Sequence, residues 1–468
     1  MAAYREACDE ARLAAACAEA PRPAASPADD GRLEEGVADG LRAEQVASCY
    51  EAARDAAPGR DGEQARARFR SVARFFLDRS SVEASLEIAE RFRETPGAFE
   101  LLLSRSEDDA ERLRLHEAWI RHERRLLPAR LARRRSRDQA AREVGASSST
   151  VFLALEQPAA LAALRDRFAR GVIEPLDRAV RAASVERQRR SRLGGHPADG
   201  PRLAALAEHR AIVPGSSIAA ALRRIGSMVG WDPDAVRPAA IADSAEATWP
   251  ELYVTPDRGP VILLGAVHGP AGLARGLGTL GLAARAAFLR ERRREATHWT
   301  DPAFECSVDL IFRRLLHAPS SREWLDLGEN PEAAADLRLE QALAHRLAWA
   351  YLVLALATTD DPADPPGEEV TEETLERALG RPATPGEKAA VVDGDPRGAA
   401  VLRGTVFALL LEERLLTRFG RDWVRDRGAR RMLHECWEAE PDENVESMAA
   451  ALSLGTIEPT PILDGCRP

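Results

Sequence analysis

Residues 259–316, GPVILLGAVHGPAGLARGLGTLGLAARAAFLRERRREATHWTDPAFECSVDLIFRRLL, decide how the chain is read. The stretch opens with an apolar run, residues 261–267, that carries no charged side chain and predicts a buried strand. His268-Gly269-Pro270 predicts a turn. A helix of small residues follows and becomes strongly basic over residues 290–294. Beyond a loop lies a second amphipathic segment, residues 306–316. The order is strand, turn, central helix, second helix.

Gly276-Leu277-Gly278-Thr279-Leu280-Gly281 is a literal GxGxxG. A dinucleotide site needs those glycines at the strand-to-helix turn itself, inside repeated βαβ units. Here they fall well after the strand and the sequence stays helical beyond them, so close helix packing is the expected role. Each costs about 1 kcal/mol relative to alanine in a helix, so tertiary contacts must hold the segment.

The run VILLGAVHGPAGLARGLGTLGL resembles the strand, turn and central helix of the thimet-oligopeptidase and oligoendopeptidase-type zinc peptidases, with Gly281 matching the glycine of HExGH. AREVG, which opens residues 141–157, resembles the segment before a cleft-lining helix in that family. Residues 402–463, from LRGTVFALLLEERL to IEPTPIL, are similar to its closing helices and are the most specific match. The resemblance covers about residues 100–468. It implies a large, mainly α-helical metallopeptidase-like fold with a small β element beside the former active-site helix.

The same register places Gly278 and Leu282 where the family has its histidines and Thr279 where it has its glutamate. Histidines at i and i+4 share one helix face and can hold one zinc, and the glutamate polarises the zinc-bound water. Gly and Leu offer no ligand atom, and Thr is no general base near neutral pH. The third family ligand falls on Cys306, with Glu305 one residue off register. Family zinc is therefore expected to have no ligands here, and no cofactor is expected. Where the family carries an Arg-Pro-Gly-Lys run before the edge strand, this chain has Asp243-Ser244-Ala245-Glu246-Ala247. The tail has no tyrosine after Tyr351, which removes the family's usual partner for the tetrahedral intermediate.

Other histidines do not rebuild the motif. His268, His298, Glu305, Cys306 and His317 lie in the central region as candidate ligands, but no two have i,i+4 spacing. His116-Glu117 and His122-Glu123 meet Ile120 and Leu126 where a second histidine is needed, so a solvated helix face is expected for them. His434-Glu435 meets Glu438.

Composition bounds the rest. The chain has 468 residues and a net charge of −10, which argues against general nucleic-acid binding. Lys388 is the only lysine. The six cysteines (8, 17, 49, 306, 436, 466) show no CxxC spacing, so neither a zinc ribbon nor a disulfide framework is indicated. The start, MAAYREACDEARLAAAC, has charges where a signal peptide needs an apolar run, and residues 347–357 are too short to span a bilayer. A cytoplasmic protein without membrane or nucleic-acid partners is expected.

Residues 1–65, rich in Ala, Pro, Asp and Arg, are expected to form a loosely ordered arm before a helical domain over 66–468. Helices are predicted over 107–140, with a kink at Pro128, and over 159–187, 203–225, 333–357 and 399–418. Residues 333–357 place Leu337, Leu343, Leu347 and Tyr351 on a core-facing stripe. Tyr253 begins a second strand, and Thr371 caps a helix that closes at Gly380. The functional expectation is a catalytically inactive peptidase-like protein. It would bind a peptide or a protein partner, such as an active paralogue, in a cleft near Arg275, Arg285 and Tyr253. The alternative is a residual metallopeptidase or hydrolase with a non-standard site.

Overall fold

The computed structural model describes residues 43–54, 77, 99–149, 152, 158–193, 195–213, 215–229, 241–243, 250–255, 259–264, 269–292, 301–317, 330–357, 366–392, 397–439 and 444–459. Among these residues the fold is mainly helical with one small sheet.

Helix α1, Ala43–Arg54, forms within the stretch expected as an arm. It buries Val46, Tyr50 and Ala53 in a cluster with Leu77 and Phe152, and the Tyr50 and Phe152 rings lie 5.3 Å apart. Helix α2, Phe99–Arg105, packs on α3, Asp109–Glu143. Asp108 starts α3 by accepting from the Ala110 N–H, and Pro128 lies inside the helix without ending it. His116 and His122 are not on a solvated face; both are buried. Phe99 stacks on Trp119 and lies 5.7 Å from the His122 ring, while His196 meets His116 edge-on at 5.2 Å. These partners come from elements distant in sequence, which helix periodicity does not reveal.

Helix α4, Pro158–Phe168, runs through a π-turn, Ala169–Ile173, into α5, Glu174–Ser191. The single helix predicted over 203–225 is three pieces: α6, Gly200–Ala204; a 3-10 turn, Ala207–Ile212; and α7, Gly215–Val229. Leu206 adopts φ 48°, a left-handed conformation that breaks the helix there.

The sheet has three strands, β1 (Ile241–Asp243), β2 (Glu251–Thr255) and β3 (Gly259–Leu264), in the order β1-β3-β2. β1 pairs parallel and β2 antiparallel with β3. The central position of β3 explains its uninterrupted apolar sequence, since Val261, Ile262, Leu263 and Leu264 are all buried. β2 is the second strand expected at Tyr253.

The centre is built from α8, Gly269–Arg292, and α9, Pro302–Arg314, with a 3-10 turn at Leu315–His317. α9 begins earlier than the sequence pattern indicated, because Asp301 accepts from the Ala303 N–H and Pro302 occupies the first turn. α10, Pro331–Leu356, is capped by Asn330. In α11, Glu368–Leu379, Gly367 is the cap; Thr371 lies inside the helix, its hydroxyl donating to the Pro366 carbonyl at 3.4 Å. The expected stop at Gly380 is present, with φ 65°. α12 (Pro385–Val392), α13 (Arg397–Phe419, ended at Gly420), α14 (Arg427–Ala439) and α15 (Val445–Ala451) complete the chain.

One large core joins α4, α5, α7, β3, α8, α9, α10, α11, α13 and α14. α9 lies between α8 and α13, and α13 also packs on α10. Of the stripe expected on α10, only Leu343 is buried; Leu337, Leu347 and Tyr351 are half-buried. The deepest positions are instead Leu339, Arg346, Ala350 and Leu354, because α5, α11 and α13 cover several sides of the helix.

Candidate functional site

The site is argued from α8, whose glycines control how near α9 can come. A Cβ placed on Gly278 would lie 2.1 Å from Asp309 Oδ1 and 2.9 Å from Arg313 Nε. A Cβ on Gly281 would lie 2.5 Å from the Phe312 ring. Asp309 and Arg313 are one helical turn apart on α9 and lie 2.8 Å from each other. The glycines expected to serve close packing therefore do so, and the α9 side chains occupy the space beside Gly278.

The other residues singled out in the sequence divide as follows. Thr279 is buried, and its hydroxyl donates to the Arg275 carbonyl at 3.0 Å and sits 3.4 Å from the Pro250 carbonyl. That bond back to the preceding turn is the ordinary one for a helical threonine. Leu282 is half-buried and packs against the core. Cys306 lies against Gly404 of α13, whose Cβ would fall 2.9 Å from that of Cys306, so Asp309 rather than Cys306 stands opposite Gly278. Burial, with Asp309 and Glu305 adding to it, pushes the Cys306 thiol up to about 12, which leaves little thiolate near neutral pH. Glu305 is half-buried in the first turn of α9, and His317 is half-exposed in the turn after it. His268 and His298 lie outside the described residues, and for Tyr253 only the strand is described. Arg285, expected beside a cleft, is buried at 4 % exposure.

Arg275 differs from Arg285. It is half-buried rather than buried. Burial first, and then the nearby Arg313, bring its guanidinium down to about 10; Glu100, Glu340 and Asp309 oppose that shift. It remains a cation at neutral pH. These groups come from α2, α8, α9 and α10, elements far apart in sequence. Glu387 of α12 receives both Arg381 Nη atoms at 2.7 and 3.0 Å. Glu100 Oε1 is 3.5 Å from the Cβ position of Gly386.

Asp309, Arg313 and Glu340 were not singled out by sequence reasoning. The i,i+4 Asp-Arg pair was visible as a pair, but only the fold turns it toward Gly278. A second cluster was also missed: ligand atoms of Glu208, His209 and Asp336 lie within 4.8 Å of one another. Asp336 is already held by His209 Nε2 at 2.8 Å and Arg190 at 2.6 Å, which makes this a joint between α5, α10 and the 3-10 turn. Behind α9, a void of about 10 Å³ lined by Phe304, Phe312, Phe407 and Trp437 has room for about one water.

No protein-family model and no curated protein sequence matches the chain. Solved structures do. A "putative peptidase" from Chlamydophila abortus superposes with a TM-score of 0.53 at 12% identity, covering 91% of this chain and 78% of that one. PZ peptidase A with an inhibitor superposes with a TM-score of 0.58 at 11% identity, covering 90% of this chain and 83% of that one. At such identity the likeness concerns the fold. Among the described residues, no helix is long and apolar enough to cross a membrane. The chain has a peptidase-like, mainly helical fold.

Proposed function

We propose that the chain is a peptidase-like protein without zinc-dependent proteolysis, and that it binds a peptide or a segment of a partner protein in the cleft beside α8. The observation that carries this reading is the contact at Gly278. Zinc of the HExxH type needs histidines one turn apart on the central helix, and no two histidines in this chain are four residues apart. In the register set by the resemblance, the first histidine position is a glycine whose Cβ space is taken by Asp309 and Arg313. The residues present therefore do not fit the metal. Asp309, the carboxylate nearest that position, is paired with Arg313, a cation that competes with any metal ion.

A hydrolase using another nucleophile finds little support in the same region. The Cys306 thiol is held protonated, and the Ser307 hydroxyl is buried and donates to the Phe304 carbonyl at 2.7 Å. What supports binding of an extended chain is the peptidase-like scaffold, with charged side chains of α8 and α9 gathered near Gly278. An active paralogue is one candidate source of that chain.

The test is metal content of the full-length, tag-free protein after zinc supplementation, with a quenched-peptide cleavage assay on the same sample. Substoichiometric zinc and no cleavage are expected. One tightly held zinc per chain, or cleavage abolished by a chelator, would overturn the reading.

A further inference from the structure

We propose that two copies of this chain associate through the basic outer face of α3 on one copy and the acidic outer face of α11 on the other.

The α3 face is built on three apolar residues at intervals of seven, Leu113, Ile120 and Leu127. Seven residues are close to two helical turns, so the three share one side of the helix. Leu113 and Leu127 are 44% and 40% exposed, and Ile120 is half-buried. By helical periodicity, Arg114, Arg121 and Arg124 run along one edge of that stripe. Arg114 and Arg124 are exposed and have no partner among the described residues. Arg121 meets Glu117 at 3.8 Å, with both side chains mostly exposed, a pairing that contributes little. The whole helix carries eleven arginines against six carboxylates, in a chain whose net charge is −10. A basic face of this kind repels a second copy of itself and favours an acidic one.

Helix α11 supplies the opposite pattern, with five glutamates and one arginine. Glu369, Glu373 and Glu376 share one side at helical spacing. All three are exposed and have no partner among the described residues. Glu372 is already engaged by Lys388 of α12, and the lone cation, Arg377, lies over the Trp349 ring at 5.7 Å. Val370, next to Glu369, is 49% exposed. Glu369 and Glu376 are seven residues apart, as are Arg114 and Arg121, which is about 10 Å along either helix. The two faces therefore match in charge and in spacing, with Val370 meeting the leucine stripe.

Helix α12 packs on both α3 and α11. Arg134 of α3 donates to its Val391 carbonyl at 3.2 Å, and its Lys388 pairs with Glu372 of α11. Both faces thus belong to one region of the fold. A two-fold pairing of copies makes the α3–α11 contact twice and closes the assembly as a dimer.

The experiment is sedimentation velocity of the full-length protein over a hundredfold range of concentration, in low and in high salt. At low salt a concentration-dependent shift toward twice the chain mass is expected, with the association weakened about tenfold by high salt. Arg114→Glu combined with Arg124→Glu should weaken it by about tenfold or more, and so should Glu369→Arg combined with Glu373→Arg. An equimolar mixture of the two double variants should restore it, because each reversed face then meets an opposite charge. The salt series uses the unaltered protein, so it stands even where a variant folds poorly. A chain that stays monomeric at low salt would overturn the proposal. So would a dimer that neither reversal weakens, or a mixture that does not recover.

Discussion

Two regions of this molecule use the same side chain in opposite ways. At the junction of α5, α10 and α11, Arg346 is 1% exposed and every nitrogen of its guanidinium has an acceptor. Nε donates to the Ala378 carbonyl at 2.6 Å and Nη1 to the Ile173 carbonyl at 3.0 Å. Nη2 donates to Asp177 at 2.6 Å and to the Arg377 carbonyl at 2.8 Å. Arg377 and Ala378 lie in the last turn of α11, where carbonyls lack helical partners, and Ile173 ends the π-turn. Arg346 thereby joins three elements. At the seam of α8 and α9, Arg313 pairs with Asp309 at 2.8 Å, its Nε has no hydrogen-bond acceptor among the described residues, and 40% of its side chain is accessible. A buried cation with a full set of acceptors is architecture, whereas a partly exposed one in a single ion pair contributes little to the fold.

The largest expected effect breaks the first region. Arg346→Met leaves Asp177 and three carbonyls without their donor and should cost about 3–5 kcal/mol in urea unfolding. The matched Arg313→Met should cost less than about 1 kcal/mol, as for a partly exposed pair. Equal losses would erase the distinction between a buried joint and a partly exposed pair.

A smaller effect sharpens the seam. A Cβ on Gly404 would meet the Ala303 carbonyl oxygen at 2.2 Å, and one on Gly281 the Phe312 ring at 2.5 Å. Gly404→Ala and Gly281→Ala should each cost about 1–3 kcal/mol by overpacking. Gly276→Ala meets only Leu222 and Ile218 side-chain atoms, at 3.3 to 3.6 Å. Alanine's helix propensity offsets that contact, so this variant should lie within about 1 kcal/mol of neutral. Thermal melts of the three variants decide it; a Gly276→Ala loss as large as the others would mean the whole helix, not two points, is tightly constrained.

A further effect concerns acid. Burial, reinforced by Arg314, pushes His345 on α10 down to about 3 from the ordinary 6.5. The native imidazole stays neutral while the unfolded one takes up a proton. Its contribution to stability is therefore full above pH 6.5 and is lost as pH falls toward about 3. His345→Gln should lose less stability than the parent between about pH 7 and about pH 4.5. An identical acid loss would mean that His345 is protonated inside the fold.

Much of the scaffold was legible because its signals are local. The charge-free β3, the small-residue α8, and the glycine stops at Gly380 and Gly420 each announce themselves within a few residues. What was not legible depends on distant partners. β1 has three residues and exists by pairing with β3 some twenty positions later, at Ile241↔Ile262. Leu206 breaks a helix through a backbone conformation that no Gly or Pro at that position signals. His116 and His122 look solvated until α2 and His196 cover them. At the site, the sequence exposed the glycines of α8 but not what they receive. Asp309 and Arg313 occupy the space beside Gly278 because α9 packs with Cys306 toward Gly404.

That orientation of α9 has a mechanical consequence. Its two flanks are keyed into their neighbours, with Asp309 and Phe312 seated over Gly278 and Gly281 on one side and the Ala303 carbonyl seated at Gly404 on the other. A slide of one residue, about 1.5 Å, would bring positions bearing side chains to sites that admit none. The unit made by α8, α9 and α13 is therefore locked against sliding and must move, if it moves, as one rigid block.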